Sequence, residues 1–141
     1  MGWVLALLAS VSVQAAETSA AAVTVREAWI RPAPPTAPVR AGYAVLENVG
    51  AKEIVIDSVR SEAFGAIEIH EMHDVDGVMR MRRVPRLVVE AGGTVHLKPG
   101  GLHLMLFRPA APLDDGYVAS IVFTHEGQDV AHGEFVVRAS E

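Results

Sequence analysis

Methionines and histidines crowd into one part of this chain and could bind a metal together. Apart from Met1, the methionines lie within 34 residues, and four of the histidines lie in or beside the same window. The residues concerned are Met72, Met79, Met81, Met105, His70, His73, His96 and His103. Methionine usually fills gaps in hydrophobic cores, and a filler has no reason to gather among histidines. Imidazoles and thioethers form a soft, neutral ligand set that favours Cu(I), whereas Ca²⁺ and Mg²⁺ prefer oxygen and Zn²⁺ seldom uses a thioether.

Side-chain alternation indicates that most of these groups share one face of neighbouring strands. Successive side chains of a strand point to opposite faces, so each strand separates its apolar residues from its candidate ligands. The groups that share a face are Glu68, His70 and Met72 in one strand, Met79 and Met81 in the next, and His103 and Met105 in a third. Asp74–Gly77 is typical of a hairpin turn. Such a turn would bring Met79 or Met81 across from His70 or Met72, and the third strand would add its own pair.

The elements that would position these residues are short strands. Apolar residues recur with a period of two in segments separated by Gly and Pro, which predicts an all-β chain. The predicted strands are Val23–Ile30, Arg40–Glu47, Glu53–Arg60, Ala66–Met72, Val78–Arg82, Leu87–Val89, Thr94–Leu97, His103–Phe107, Tyr117–Thr124 and Val130–Arg138. Arg31–Pro38 contains four prolines and should be an extended loop. Strands of this length and spacing predict a single Greek-key barrel or sandwich domain over residues 23–138.

Composition excludes several classes of protein. The chain has 141 residues and a net charge of −5, which argues against non-specific nucleic-acid binding because that binding needs a basic face. It contains no cysteine, so disulfides, zinc–thiolate sites, thiol nucleophiles and blue-copper centres are excluded. We find no phosphate-binding loop, nucleophile elbow or close carboxylate pair, so the sequence does not predict an enzyme.

Residues 1–15 are predicted to be a secretory signal peptide and residues 16–22 a flexible leader. The apolar run Trp3–Val13 is too short to cross a membrane, and small residues at Val13 and Ala15 suit a cleavage site. No Lys or Arg precedes the run, so an apolar helix of the mature protein is the alternative. We expect an exported protein that is not inserted in the membrane once the signal is removed.

The spacing of four candidate ligands resembles a known signature. Four residues match the H-x10-M-x21-H-x-M motif of the periplasmic copper chaperones known as the PCuAC family: His70, Met81, His103 and Met105. The intervals between them are ten, twenty-one and one residues. Flanking segments are similar too: Ala28–Arg31 followed by prolines, Ala41–Tyr43, Ile69–Met72, Gly77–Arg82 and Gly100–Met105. The resemblance covers residues 23–137 and fills all four ligand positions.

This resemblance implies a fold, a cargo and a partner. It implies a cupredoxin-like Greek-key β-barrel that binds one Cu(I) through His70, Met81, His103 and Met105. It also implies delivery of copper in the periplasm, towards the copper-site subunit of cytochrome c oxidase or another copper chaperone. We expect a monomer.

Residues beside the motif leave alternatives open. Met72 and Met79 could be packing residues or spare thioethers for copper hand-off. His73 is expected in solvent, with a role as a Cu(II) ligand as the alternative. The cluster Arg80, Arg82, Arg83 and Arg86 could be a solvated face or a docking patch for an acidic partner.

Two other functions of a copper-binding barrel compete with delivery. Passive sequestration for copper tolerance would use the same ligands, so the sequence does not separate it from delivery. Electron transfer is disfavoured because fast one-electron transfer in cupredoxins uses a Cu–thiolate bond, and this chain has no cysteine.

Overall fold

Seven strands close into a barrel in the computed structural model, which describes residues 22–139. The predicted signal peptide and most of the predicted leader lie outside the described residues. The strands are β1 (Val23–Ile30), β2 (Val39–Asn48), β3 (Ile54–Ile56), β4 (Ser58–Arg60), β5 (Phe64–Val75), β6 (Val78–Arg83), β7 (Leu87–Val89), β8 (Thr94–Leu97), β9 (Leu102–Pro109), β10 (Val118–His125) and β11 (Gln128–Val137). None of residues 22–139 forms an apolar helix of membrane-crossing length.

Strand β1 closes the barrel because it pairs with a strand on each side. It runs parallel to β11 and antiparallel to β2, which completes the ring β1–β11–β10–β4–β5–β9–β2. Strand β8 adds to β2 outside this ring, β6 adds to β5, and β3 and β7 form a separate two-stranded sheet. The predicted all-β barrel is therefore confirmed.

Alternation along β5 and β9 separates the barrel interior from the candidate ligands. Ile67 and Ile69 on β5 and Leu104 and Leu106 on β9 point inward, and each is at most 8% exposed. Burying one such side chain contributes about 1.5–3 kcal/mol. A register slip by one residue would exchange the two faces and expose this core. Packing of the core therefore fixes which side chains of β5 and β9 point outward.

The segment predicted as one strand over Glu53–Arg60 is divided at Asp57. Ile56 ends β3, which pairs with β7, whereas β4 begins at Ser58 and pairs with β5 and β10. The Asp57 carboxylate accepts hydrogen bonds from the Glu126 backbone N–H at 2.9 Å and from His125 Nδ1 at 3.1 Å. The backbone hydrogen bond from Glu126, joined by the bond and charge of His125, lowers the pKa of Asp57 against a smaller opposing effect of desolvation. The carboxylate thus ties the point where the chain changes sheets to the β10–β11 turn.

The β5–β6 hairpin is longer than the sequence predicted and projects from the barrel. Its turn is formed by Asp76 and Gly77, both with positive φ, and the Asp74 carboxylate accepts a hydrogen bond from the Gly77 N–H at 2.8 Å. Two consecutive residues with positive φ are typical of the tight turn that matches strand twist. The register of β9 on β5 ends at Glu71, and beyond it β6 is the one strand of the described part of the chain that pairs with β5. All six residues of β6 are exposed.

Candidate functional site

His70 and His103 lie directly opposite each other on the outer face of β5 and β9. They are register partners, and their ring centroids are 6.2 Å apart. His103 is buried, and the side chain of His70 is 16% exposed. Both residues alternate with inward-facing core residues, so the barrel itself holds the two imidazoles side by side.

Glu68 sets the orientation of the His70 ring. Its carboxylate oxygen lies 2.7 Å from His70 Nε2, and because a carboxylate only accepts, the neutral ring must carry its proton on Nε2. The lone pair is then on Nδ1, which is buried and has no hydrogen-bond partner. The hydrogen bond from His70, with a further effect of the Arg83 charge, holds the pKa of Glu68 below its usual value although desolvation acts in the opposite direction.

A backbone carbonyl orients the His103 ring. His103 Nδ1 lies 2.9 Å from the Gly101 carbonyl oxygen, which can only accept, so Nδ1 carries the proton. The lone pair of the neutral ring is then on Nε2. The two rings therefore present different nitrogens, and each is fixed through its other nitrogen in the way that metal-ligating histidines usually are.

The two motif methionines lie on the same face, on either side of the imidazole pair. Met105 is half-buried on β9, opposite Glu68 on β5, and lines a groove of about 260 Å³ beneath the proline-rich loop. Met81 lies on β6, opposite Met72, and is 48% exposed. Each is one diagonal step from His70 in the register. The strands thus place all four motif residues on one face, with the two thioethers flanking the rings.

This donor set suits a soft cation. An unpartnered buried nitrogen such as His70 Nδ1 is costly in a folded protein unless something binds it. The groups around it are a second imidazole and neutral thioethers, which favour Cu(I) over harder ions. Within residues 22–139 no three His, Cys, Asp or Glu side chains gather as metal ligands. The side chains that could complete a site around the two imidazoles on this face include the methionine sulfurs.

The remaining histidines lie away from this face. His73 points to the opposite face of β5, with its Nδ1 buried and unpartnered, and His96 on β8 borders a separate cleft of about 640 Å³. His125 is bonded to Asp57, and His132 to a serine hydroxyl and a glutamate. A role for His73 as a Cu(II) ligand stays a prediction without support from neighbouring ligands.

Two arginines of the predicted docking patch have partners within the chain. Arg82 donates to Glu71 at 2.6 and 3.0 Å. Arg83 lies 3.6 Å from Glu68. These contacts neutralise part of the positive charge of β6, so the patch presents less charge to a partner than its sequence indicates.

Sequence reasoning did not assign roles to Glu68 and Gly101, the groups that orient the rings. Alternation placed Glu68 on the same face as His70, and a carboxylate two residues away on one face of a strand was the available signal. Nothing in the sequence indicates the role of the Gly101 carbonyl, because every residue type has a backbone acceptor.

We expect Glu68→Ala to release the His70 ring from its single tautomer. Without the acceptor at Nε2, the neutral ring should distribute its proton between both nitrogens, which ¹⁵N NMR of the histidine side chains detects in the metal-free protein. Glu71→Ala is the matched control, because Glu71 lies on the same strand but faces the other way and bonds Arg82. An unchanged His70 tautomer in Glu68→Ala would show that the carboxylate does not orient the ring.

Comparison with known proteins gives one family and one fold. The profile of the family described as "Putative lipoprotein LpqE-like" matches residues 23–137. "Putative lipoprotein Lxx21020" of Leifsonia xyli subsp. xyli is 30% identical over 111 residues, which are 78% of this chain and 66% of the relative. The chain thus spans slightly less than two thirds of that relative's length.

Solved structures with the same fold are PCuAC domains and a protein of Deinococcus radiodurans. The apo PCuAC domain from PmoF1 superposes with a TM-score of 0.67 at 18% identity, covering 84% of this chain and 95% of that domain. The solution structure of CuI-DR1885 from D. radiodurans gives a TM-score of 0.65 at 25% identity, covering 89% and 84% of the two chains. The barrel therefore has the cupredoxin-like fold that the resemblance to the PCuAC family implied.

Proposed function

We propose that this chain, which belongs to the LpqE-like family, is a copper-binding protein that holds one Cu(I) and passes it to a partner. The ligands are His70, Met81, His103 and Met105. The observation that carries the proposal is the opposed pair of imidazoles, each fixed through one nitrogen, with a buried lone pair at His70 Nδ1 and thioethers on both sides.

Similar proteins support copper as the cargo. The D. radiodurans structure is of a Cu(I) form, and this chain shares both its fold and 25% of aligned residues. A copper-bound PCuAC domain from PmoF2 has the same fold. The chemistry of the site points to the same ion independently, because uncharged thioethers favour Cu(I) and do little for Cu(II).

Exposure of one ligand favours delivery over storage. His103 is buried and Met105 half-buried, whereas Met81 is 48% exposed on a projecting edge strand. A partner could therefore approach the copper from the β6 side and replace a single thioether without opening the barrel. Ligand-by-ligand transfer to a partner requires an accessible ligand of this kind, and for this reason we place delivery ahead of storage.

The acceptor we propose is the copper centre of cytochrome c oxidase, reached directly or through another copper chaperone. This follows from the resemblance of the ligand motif to the PCuAC family. Export to the periplasm is supported by the predicted signal peptide and by the lipoprotein name of the relative. The proposed activity is binding and transfer of copper, in which only bonds between the metal and its ligands form and break.

Copper titration of the purified, reduced protein tests the proposal. We expect one Cu(I) per chain, competed by a colorimetric Cu(I) chelator, and X-ray absorption should show two nitrogen and two sulfur ligands. A stoichiometry well above one, or a shell without sulfur, would contradict the proposed site.

A further inference from the structure

The fourth ligand position has two candidate sulfurs, because Met72 lies directly across the hairpin from Met81. The two residues are register partners on β5 and β6. Their side chains point to the face that carries His70, and directly opposed residues have Cβ atoms about 4.5–5.5 Å apart. Two long, flexible thioether side chains so placed can reach the same point in space.

The backbone positions of Met72 and Met81 are about equally distant from His70. Met72 is two residues from His70 on the same strand, a backbone separation of about 6.6–6.8 Å. Met81 is a diagonal neighbour, because its strand places Arg83 opposite His70, and such neighbours are about 7–8 Å apart. Distance alone therefore does not favour Met81 over Met72 as a partner of the imidazoles.

The two methionines differ in how firmly they are held. The Met72 backbone N–H donates to the Gly101 carbonyl at 3.2 Å, so this residue is tied to the segment before β9 as well as to β6. Met72 is half-buried, and Met81 is 48% exposed on a strand that, within residues 22–139, pairs only with β5. Met72 thus has the more firmly anchored backbone and the less exposed side chain, and Met81 is the more accessible thioether.

We propose that Met72 and Met81 form one exchangeable ligand position for Cu(I), an inference that rests on the proposed function. When Met81 is drawn away, the Cu–S bond to Met81 breaks as a Cu–S bond to Met72 forms. Both thioethers are neutral, so the exchange changes neither the oxidation state of copper nor any proton. The copper stays bound to His70, His103 and Met105 throughout, and the departure of Met81 opens the solvent-facing side of the metal to an acceptor.

A double-mutant cycle with leucine tests this exchange. Leucine keeps the apolar volume of methionine and removes the sulfur, so packing is largely preserved. We expect Met72→Leu and Met81→Leu each to weaken Cu(I) binding less than about 10-fold, and the double variant to weaken it by more than the product of the two. Chelator competition gives the affinities, and circular dichroism verifies that each variant is folded.

Sulfur counting by X-ray absorption is the second measurement. Met81→Leu should retain two sulfur ligands per copper, supplied by Met105 and Met72, and the double variant should retain one. Met79→Leu is the matched control, since Met79 is 52% exposed on the same strand face but lies opposite Asp74, farther from the imidazoles. It should change neither affinity nor sulfur count.

The outcomes separate the inference from the proposed function. Suppose that the wild type binds one Cu(I) with two sulfur ligands, that Met81→Leu binds it with one, and that adding Met72→Leu lowers the Cu(I) affinity no further. The exchange is then wrong, and the copper-binding function stands. If the wild type itself fails to bind Cu(I), the proposed function is wrong and the exchange falls with it.

Discussion

His103→Ala will lower the affinity of the protein for both Cu(I) and Cu(II), whereas Met105→Leu will lower the affinity for Cu(I) alone. Imidazole nitrogen binds both oxidation states, and thioether sulfur serves mainly the softer Cu(I). Changes in groups that merely orient a ligand typically cost 10–100-fold in metal affinity. Loss of the His103 ligand itself should therefore exceed about 100-fold for each oxidation state.

Met105→Leu should weaken Cu(I) by at least about 10-fold and leave Cu(II) within about threefold of the wild type. The measurement is competition against a Cu(I) chelator under reducing conditions and, separately, against a Cu(II) chelator. His96→Ala is the control for histidine loss, because His96 is exposed on β8 and borders a different cleft. Equal losses of both ions in Met105→Leu, or intact Cu(I) binding in His103→Ala, would contradict the ligand assignment.

Much of the fold followed from the period-two pattern. Strands β5 and β9 overlap the predicted segments because inward isoleucines and leucines alternate there with the outward candidate ligands. Strand β6 has no inward-facing residue, and its place beside β5 followed from the predicted Asp74–Gly77 turn. The division of Glu53–Arg60 into β3 and β4 did not follow. It depends on Asp57 accepting hydrogen bonds from the distant β10–β11 turn, and a contact over 69 positions leaves no local signal.

The candidate site was predictable as a set of residues but not as an arrangement. Alternation correctly placed His70, His103 and Met105 on one face, and the Asp74–Gly77 turn correctly predicted the β5–β6 hairpin. The turn left open whether Met79 or Met81 would lie opposite Met72. The structure selects Met81, because a two-residue turn at Asp76 and Gly77 fixes the register. The choice of ring nitrogens depends on hydrogen bonds to Glu68 and to the Gly101 carbonyl, which form only when the folded chain brings these groups to the rings.

A strain that lacks this protein will lose cytochrome c oxidase activity when copper is scarce, and excess copper will restore it. This result is expected if the protein delivers copper, because delivery limits assembly only when free copper cannot fill the oxidase centre. Sequestration would give the opposite phenotype: normal oxidase activity at scarce copper and greater sensitivity to copper excess. The measurements are oxidase activity in membranes and growth across a copper series.

Complementation with site variants connects this phenotype to the proposed ligands. The wild-type gene and Met79→Leu, whose exposed methionine lies outside the ligand set, should restore oxidase activity at scarce copper. His103→Ala should not restore it, because without this buried imidazole the protein should no longer hold the copper that the proposed transfer requires. Immunoblotting is the control: the three proteins should accumulate to equal levels, so that failure to complement reports the metal site and not a loss of folded protein. If His103→Ala restored activity as well as the wild type, the oxidase phenotype would not depend on copper held at this face, and delivery through His70 and His103 would be wrong.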